Sequence, residues 1–222
     1  MARVIVVIGS PTGQLRDNEI VAGGTPARVA LAAAAAGREV QLLGRTGDDP
    51  AADGLLLGLT QGGVGHAALL RDPARPTPLE KISVPDDGTA SIDDEPPAPA
   101  VSGDPSTRPA IEAADVDLGL RYLADFAVLV VAEPAGDDVI RVAAEASRWN
   151  AARLLLVVDA GSELPGALPG DAIVFEAPDD DRDGLFASFV GTFAAALDDG
   201  ADPADAFRSS IAAEGWTEAA AE

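Results

Sequence analysis

The chain has 222 residues, of which 47% are apolar, and 37 acidic against 15 basic side chains give it a formal net charge of −22. A surface with this charge repels phosphodiester backbones and anionic lipids, so nucleic acid and membrane partners are not expected. The absence of cysteine and the single histidine, His66, exclude disulfides, thiolate metal sites and a histidine metal cluster. We expect a folded cytoplasmic protein, because no apolar run has the roughly 18 residues of a membrane span and the apolar run after Arg3 is short for a secretion signal.

The first part of the chain alternates strand and helix signals. Two helices each begin at a capping residue followed by proline, Thr25-Pro26 and Asp49-Pro50. The buried strands are predicted over 2–8 and 39–44, and the helices over 27–36 and 50–59. This alternation predicts a parallel sheet.

The apolar period changes in the middle of the chain. Short alternating segments predict an antiparallel lid sheet, with strands near 18–22, 66–71, 78–84 and 89–93. The proline-rich segment 95–108 shows no apolar period and is predicted to be a loop. We expect one domain over 1–222, with lid strands inserted at about 14–22 and 66–94.

Strand and helix signals return in the second half of the chain. Asp115 is expected to cap a short helix, and Asp202-Pro203 repeats the cap-plus-proline start for a last helix ending near 213. The predicted helices are 116–123 and 137–150, and the predicted strands are 126–132, 153–159 and a weaker one at 172–175.

A central helix is predicted over 183–197. Leu185, Phe189, Phe193 and Leu197 recur every four residues and form an apolar stripe. Asp183 is expected to cap its first turn. The free N–H groups near Gly184 are also suited to hold a phosphate. A buried amphipathic helix is the interpretation that these residues favour over an anion site.

Several motifs together resemble the ribokinase-like carbohydrate kinases, the PfkB family. The run LLGRTGDDPAADGL at 42–55, with LTQGGV at 59–64, is similar to the family's G-x-x-G-x-D stretch, and GGTPARVA at 23–30 is similar to its first signature. Pro76-Thr77 and DDG at 86–88 resemble the lid strands, and FVGTFAAAL at 189–197 resembles the end of the second signature. The resemblance implies a doubly wound α/β domain with helices on both faces and a lid sheet, binding a sugar or nucleoside under the lid and ATP at the central helix.

The second signature departs from the family pattern. The family's D-T-x-G-A-G-D falls on DRDGLFA at 181–187, so its catalytic base is replaced by Ala187 and Gly184 is the remnant of its anion hole. General-base help typically contributes 10² to 10⁴ in rate, so its loss alone costs about 3 to 5 kcal/mol in barrier. The adenine-side motifs that the family has before this helix are missing, because only residues 160–182 connect it to the preceding strand.

The sugar end departs from the pattern as well. The family's asparagine in the first signature falls on Arg28, and its aspartate after the first strand falls on Gly13 or Gln14. The resemblance therefore places the substrate contacts at Gln14, Gly23, Gly24 and Arg28, where an anion near Arg28 is also expected.

The acidic run at 179–183 is interpreted as a solvated loop that caps a helix, in preference to a divalent-cation site, and no metal is predicted. Leu79, Ile82, Val84 and Ile92 need cover, which predicts a homodimer through the lid sheet.

Three hypotheses about function remain open. The first is a non-catalytic pseudokinase that keeps the scaffold, needs no cofactor and has a lid-side pocket for a sugar-like molecule. The second is an active carbohydrate or nucleoside kinase using Mg-ATP, and the third is a structural or regulatory protein-binding module.

Overall fold

The computed structural model describes residues 4–16, 19–81, 100–102, 107–163, 166, 168–181 and 183–213. In chain order the elements are β1 (Val4–Ile8), β2 (Thr12–Arg16), β3 (Glu19–Gly23), α1 (Gly24–Ala35), β4 (Val40–Gly47), α2 (Pro50–Gln61), β5 (Val64–Asp72), β6 (Leu79–Lys81), β7 (Ala100–Ser102), α3 (Ala113–Tyr122), β8 (Phe126–Val131), α4 (Asp137–Asn150), β9 (Arg153–Asp159), β10 (Ile173–Ala177), α5 (Leu185–Asp198) and α6 (Pro203–Ala213).

The main sheet has six parallel strands in the order β10-β9-β8-β1-β4-β5. Its central strands are continuous apolar runs, because both of their faces are covered by helices. The chain moves outward from β1 through β4 to β5, and later outward on the other side through β8, β9 and β10. The direction therefore changes between β1 and β8, which is where open α/β sheets form a ligand crevice at the carboxyl ends of their strands.

Two apolar layers cover the sheet, one on each face. The larger layer is contributed mainly by α1, α2 and α5, and the smaller by α3 and α4. Four phenylalanines join α5 to β10 and α6 through ring contacts between 5.3 and 6.5 Å, and they are Phe175, Phe189, Phe193 and Phe207. The α/β class with helices on both faces of a mostly parallel sheet is therefore confirmed.

The predicted stripe of the central helix is largely buried. Phe189, Phe193 and Leu197 are buried, whereas Leu185 is 42% exposed because it lies in the first turn, at the rim of the layer. The helix begins at Leu185 with Gly184 as its N-cap residue, two residues later than the predicted start of the stretch.

The lid is a four-stranded sheet in the order β3-β2-β6-β7, and it is mixed rather than purely antiparallel. The pairs β2/β3 and β6/β7 are antiparallel, but β2 and β6 are parallel. β7 falls in the proline-rich segment 95–108, where a loop was predicted, and β2 overlaps the insertion expected at about 14–22, in which only the strand near 18–22 was predicted. The predicted lid strand at 89–93 lies outside the described residues.

The strand predicted at 66–71 for the lid belongs to the main sheet instead. It is part of β5, which pairs in parallel with β4 at the edge of the six-stranded sheet. The reason is the β4-α2-β5 crossover, since a helix packed on the sheet returns the chain parallel to the strand that it left. Its alternating composition reflects an edge position with one partly exposed face.

The lid rests on α2 through its apolar face. An added Cβ atom at Gly54 would lie 3.0 Å from Ile20 Cβ, and one at Gly58 would lie 3.2 Å from Ala22 N. These two glycines allow β3 to approach the helix closely. Part of the cover that the lid needs therefore comes from the same chain, and the homodimer stays a prediction.

Helix starts were predicted with mixed success. Asp49 caps α2 as expected, accepting a hydrogen bond from Ala52 N at 2.9 Å. Thr25 does not cap α1, because the helix already begins at Gly24 and its N-cap residue is Gly23. Asp115 is not the N-cap of α3 but its third helical residue, where it forms a capping box with Glu112.

None of the helices in the described part of the chain is long and apolar enough to cross a bilayer.

The segment leading into the lid is tied to α2 by a buried polar network around Thr77. Thr77 N and Oγ1 donate to the two carboxylate oxygens of Asp49 at 2.8 and 2.7 Å, and Gly47 N donates to Thr77 Oγ1 at 3.0 Å. Thr77 is 5% exposed. Burial acts to raise the pKa of Asp49, but the hydrogen bonds from Thr77 and Ala52 outweigh it and hold this pKa below its ordinary value.

We predict that Thr77→Val destabilises the protein at pH 7 by about 1 to 3 kcal/mol, because the substitution removes the hydroxyl that donates to Asp49 Oδ1 and leaves Gly47 N without its buried acceptor. A carboxylate whose pKa is lowered by folding contributes stability above its unfolded pKa, which is about 3.9, and loses that contribution as the pH falls through the folded pKa. The difference between wild type and variant should therefore shrink in acid. Urea unfolding at pH 7 and pH 3.5 measures it.

The control is Thr60→Val on α2, whose hydroxyl is exposed and donates to Leu56 O. Equal losses from the two variants at pH 7 would contradict the role given to Thr77.

Candidate functional site

The crevice between β1 and β8 contains a partly buried carboxyl group. Glu133 follows the carboxyl end of β8, and Ser10 N, just beyond β1, donates to Glu133 Oε1 at 2.8 Å. The start of α1 closes over the same point, since an added Cβ atom at Gly9 would lie 2.5 Å from Pro26 Cγ and 3.4 Å from Glu133 Cδ. Glu133 therefore lies where a parallel α/β sheet binds its ligand.

Desolvation raises the pKa of Glu133 to about 7, although the hydrogen bond from Ser10 N acts in the opposite direction. Part of the side chain still reaches solvent, but most of its surroundings are protein. A carboxyl group with a perturbed pKa in a crevice is a candidate for ligand binding or proton transfer. This residue was not predicted from the sequence, although an acidic residue directly after a buried strand was a usable signal.

The first turn of α5 binds a carboxylate of the same chain. Phe186 N donates to Asp181 Oδ1 at 2.8 Å, and Ala187 N donates to Asp181 Oδ2 at 3.0 Å. These are the N–H groups that a phosphate would need at this helix terminus. The expected cap was Asp183, and this was wrong: the turn closed by Gly184 N and Asp181 O, at 3.0 Å, carries Asp181 back over the helix.

Gly184, the expected anion-hole remnant, supports this arrangement through its backbone. Its φ of +71° is in the left-handed region, which glycine adopts without strain. An added Cβ atom there would lie 3.3 Å from Arg28 Cδ.

Arg28 links α1 to this turn. Its Nη1 donates to Asp181 O at 2.6 Å, so the guanidinium holds the backbone of the residue whose carboxylate caps α5. The sequence analysis placed Arg28 in the substrate pocket with an anion beside it. In the structure its described hydrogen bond is to the protein backbone, in the turn before α5.

Ala187, the position of the family's catalytic base, is completely buried in the larger apolar layer. A methyl group cannot accept a proton, and the side chain is enclosed by core residues.

The other predicted substrate contacts meet at the lid. Gly23 ends β3 and Gly24 begins α1 with a φ of +77°, and an added Cβ atom at Gly24 would lie 2.9 Å from Thr12 Oγ1. Gln14 is 5% exposed, and its Nε2 lies 3.5 Å from Glu80 Oε2. Thr12 Oγ1 donates to Glu80 Oε1 at 2.9 Å. The structure thus adds Glu80 to the predicted set of Gln14, Gly23 and Gly24.

An acidic cavity of about 460 Å³ lies between β10 and the start of α5. Glu176, Asp180, Asp181 and Asp183 contribute to its wall, together with Leu185 and Phe186. Phosphate groups of a ligand in this cavity would be repelled by these carboxylates. Within the described residues no group of three or more histidine or acidic side chains is placed to hold a metal ion.

We predict that Glu133→Gln raises the free energy of unfolding at pH 8 relative to wild type but not at pH 4.5. A carboxyl group whose pKa rises from 4.5 to about 7 on folding stabilises the protein below pH 4.5 and loses that contribution as the pH rises through 7, at most about 3 kcal/mol. Glutamine keeps an oxygen for Ser10 N and never ionises.

Chemical unfolding from pH 4.5 to 8 measures the difference, with Glu163→Gln at an exposed position as the control. Parallel curves of unfolding free energy against pH for the two variants would contradict the perturbed pKa of Glu133.

Comparison with known proteins agrees with this architecture. The family model of the pfkB family carbohydrate kinases matches residues 5–152. No curated protein sequence matches the chain significantly. Solved structures share the fold at low identity, and the Arabidopsis thaliana ribokinase complexed with ribose and ATP is 16% identical, with a TM-score of 0.68 over 96% of this chain and 92% of its own.

Two further structures extend the likeness. A PfkB protein from Polaromonas sp. JS666 is 14% identical with a TM-score of 0.66, covering 97% of both chains. The fructokinase from Xylella fastidiosa is 14% identical with a TM-score of 0.53, over 96% of this chain and 67% of its own. The family match and the ribokinase-like fold confirm the resemblance found in the motifs: this chain belongs to the pfkB family of carbohydrate kinases.

Proposed function

We propose that this chain is a pseudokinase, a ribokinase-like protein that binds a sugar-like molecule at the lid side of the crevice and does not transfer phosphate from ATP. The observation that carries the proposal is the Asp181 carboxylate bound to Phe186 N and Ala187 N at 2.8 and 3.0 Å. A family member that uses ATP needs this helix terminus for the phosphate, and here a side chain of the same chain takes its place.

Displacing Asp181 is costly. A phosphate would have to replace two hydrogen bonds to a charged group, each contributing about 1.5 to 3 kcal/mol. It would then meet the carboxylates of Asp180 and Asp183 on the cavity wall, and each like-charge pair at 4 Å costs between about 1 and 4 kcal/mol. The residues present therefore do not fit a nucleotide phosphate.

Position 187 supports the same conclusion. The buried Ala187 offers no acceptor for the proton of a substrate hydroxyl. A chain that lacks both a general base and an open anion hole has lost two separate contributions to phosphoryl transfer.

The lid side, in contrast, keeps polar groups suited to hydroxyls. Glu133, Gln14 and Glu80 supply hydrogen-bond acceptors and one amide donor around the crevice and the lid. The Arabidopsis relative is complexed with ribose, which makes a sugar-like ligand the natural candidate for this pocket.

An active kinase that transfers phosphate from Mg-ATP to a sugar or nucleoside hydroxyl is the second candidate. The observation that favours it is Glu133, because a carboxyl group with a pKa of about 7 in the crevice is suited to accept a proton. The family match is compatible with either candidate.

We predict that millimolar Mg-ATP does not raise the melting temperature of the wild type by more than about 1 °C. Binding at a hundred times the dissociation constant would stabilise the fold by about 2.7 kcal/mol and raise the melting temperature by roughly 5 to 10 °C. Asp181→Gly should open the helix terminus, so that sulfate or phosphate stabilises this variant more than the wild type. Differential scanning fluorimetry measures both effects.

The control is Asp183→Gly, which removes a charge two residues away without uncovering Phe186 N and Ala187 N. Ala187→Asp alone should fail to restore phosphoryl transfer, because it returns the base but leaves Asp181 in place. ATP turnover by the wild type on any sugar would refute the pseudokinase and favour the kinase.

The proposal includes a cytoplasmic homodimer that associates through the lid. Analytical ultracentrifugation at micromolar concentration should show a dimer, and a charge introduced by Leu15→Glu should dissociate it, because Leu15 is an apolar residue of β2 in the lid that is 37% exposed. The matched control is Leu57→Glu on the exposed side of α2, which is 58% exposed. A monomeric wild type would exclude the dimer.

A further inference from the structure

The lid sheet has one apolar face and one polar face. Residues directly opposite each other in the ladder share a face, and alternate residues of a strand lie on opposite faces. Gly13, Ile20 and Ala22 belong to the face that meets α2. The other face carries Thr12, Gln14 and the exposed Arg16 from β2 and Glu80 from β6, whose pairing sets Gln14 opposite Glu80.

The polar face is partly buried around Gln14 and Glu80. Gln14 is 5% exposed, and Glu80 is half-buried. Both oxygens of Glu80 accept hydrogen bonds within the lid, from Thr12 Oγ1 at 2.9 Å and more weakly from Gln14 Nε2 at 3.5 Å. These neutral donors orient the carboxylate but leave its charge unbalanced.

Glu80 and Glu133 act on neighbouring points of the same segment. Glu133 accepts a hydrogen bond from Ser10 N, and Glu80 accepts one from Thr12 Oγ1. The two donor residues, Ser10 and Thr12, are separated only by Pro11. Two residues of chain span at most roughly 7 Å, so both points are within reach of a single sugar-sized molecule. Neither carboxylate forms an ion pair with an arginine among the described residues.

We propose that Glu80 is a specificity-determining residue of the lid-side pocket, and that with Glu133 it selects a polyhydroxylated ligand carrying an amino group over neutral or phosphorylated sugars. This inference rests on the proposed function, since it assumes that the lid-side pocket binds a small molecule. A buried or half-buried charge is stabilised by a partner of opposite sign, and a ligand ammonium group supplies one. A sugar phosphate would bring its negative charge toward Glu80, and toward the ionised fraction of Glu133, and would be repelled.

Arg28 does not reverse this selection. It lies one turn along α1 from Gly24, but its Nη1 is engaged by Asp181 O at 2.6 Å. This guanidinium is thus directed to the α5 turn, while Arg16, the cation on the polar face of β2, is exposed and lies opposite Glu19 in the ladder.

The test compares matched ligand pairs by isothermal titration calorimetry at pH 7: D-glucosamine with D-glucose, D-galactosamine with D-galactose, and D-glucosamine with its 6-phosphate. In the wild type we expect the amino member of at least one sugar pair to bind about tenfold or more tightly than the hydroxyl member, the size expected for a hydrogen bond to a charged group. The 6-phosphate should bind more weakly than D-glucosamine.

Glu80→Gln should reduce this preference to below about threefold, because the amide keeps an oxygen for Thr12 but carries no charge. Glu19→Gln is the matched control, since it removes an exposed carboxylate from the neighbouring strand β3 of the same lid. Circular dichroism and the melting temperature check that the variants fold, and the selectivity of the wild type tests the proposal without any variant.

The outcomes separate this inference from the proposed function. If neutral sugars bind as tightly as amino sugars, or if Glu80→Gln leaves the preference unchanged, the inference is refuted while the lid-side pocket and the pseudokinase stand. If no member of the panel binds at 10 mM, roughly the weakest affinity such a pocket would show, both the pocket and the inference are refuted. Stabilisation by Mg-ATP would refute only the pseudokinase.

Discussion

The close packing of α5 on α1 is the constraint on which the site depends. An added Cβ atom at Gly191 would lie 2.5 Å from Val29 O, so the two helices touch along their backbones and only glycine fits at the contact. This contact brings the starts of both helices to the carboxyl edge of the sheet. It also brings Arg28 on α1 within hydrogen-bonding distance of Asp181 before α5. A larger residue at position 191 would separate the helices and displace the turn that places Asp181 over the start of α5.

A helix terminus directed into a crevice needs a partner for its free N–H groups, whether or not the protein binds phosphate. In this chain Asp181 is a permanent partner, which stabilises α5 without any ligand. The same carboxylate occupies Phe186 N and Ala187 N, the N–H groups that an anion at this helix terminus would need. One carboxylate thus stabilises the scaffold and supplies the main argument for the proposed loss of nucleotide binding, and the buried Ala187 is consistent with that proposal.

The two ends of the crevice have different electrostatic character for a related reason. The end at the start of α5 contains a cation, Arg28, but its guanidinium donates to the backbone oxygen of Asp181. Acidic side chains form the wall of the cavity at this end. The lid end contains two carboxylates held by neutral donors. In a chain with a net charge of −22, this arrangement is the basis of the proposed preference for neutral or positively charged small ligands.

The sequence by itself determined the elements whose signals are local. The apolar runs of β1, β8 and β9 report burial on both faces, Asp49-Pro50 reports a helix start, and the glycine motifs identify the family. The tertiary structure decided what depends on residues far apart in the chain. The place of β5 in the main sheet follows from the α2 crossover, and the parallel pairing of β2 with β6 follows from how the chain re-enters the lid.

The candidate site shows the same division. The lid positions Gln14, Gly23 and Gly24 were reached through motif positions, whereas Glu80, Glu133 and Asp181 were not singled out as site residues. Glu80 contacts Thr12 across 68 residues and Glu133 contacts Ser10 across 123 residues, and no local period encodes such pairs. Asp181 and Asp183 are equally good caps by composition. Only the path of the turn, which Arg28 holds from 153 residues away, decides which carboxylate lies over the helix.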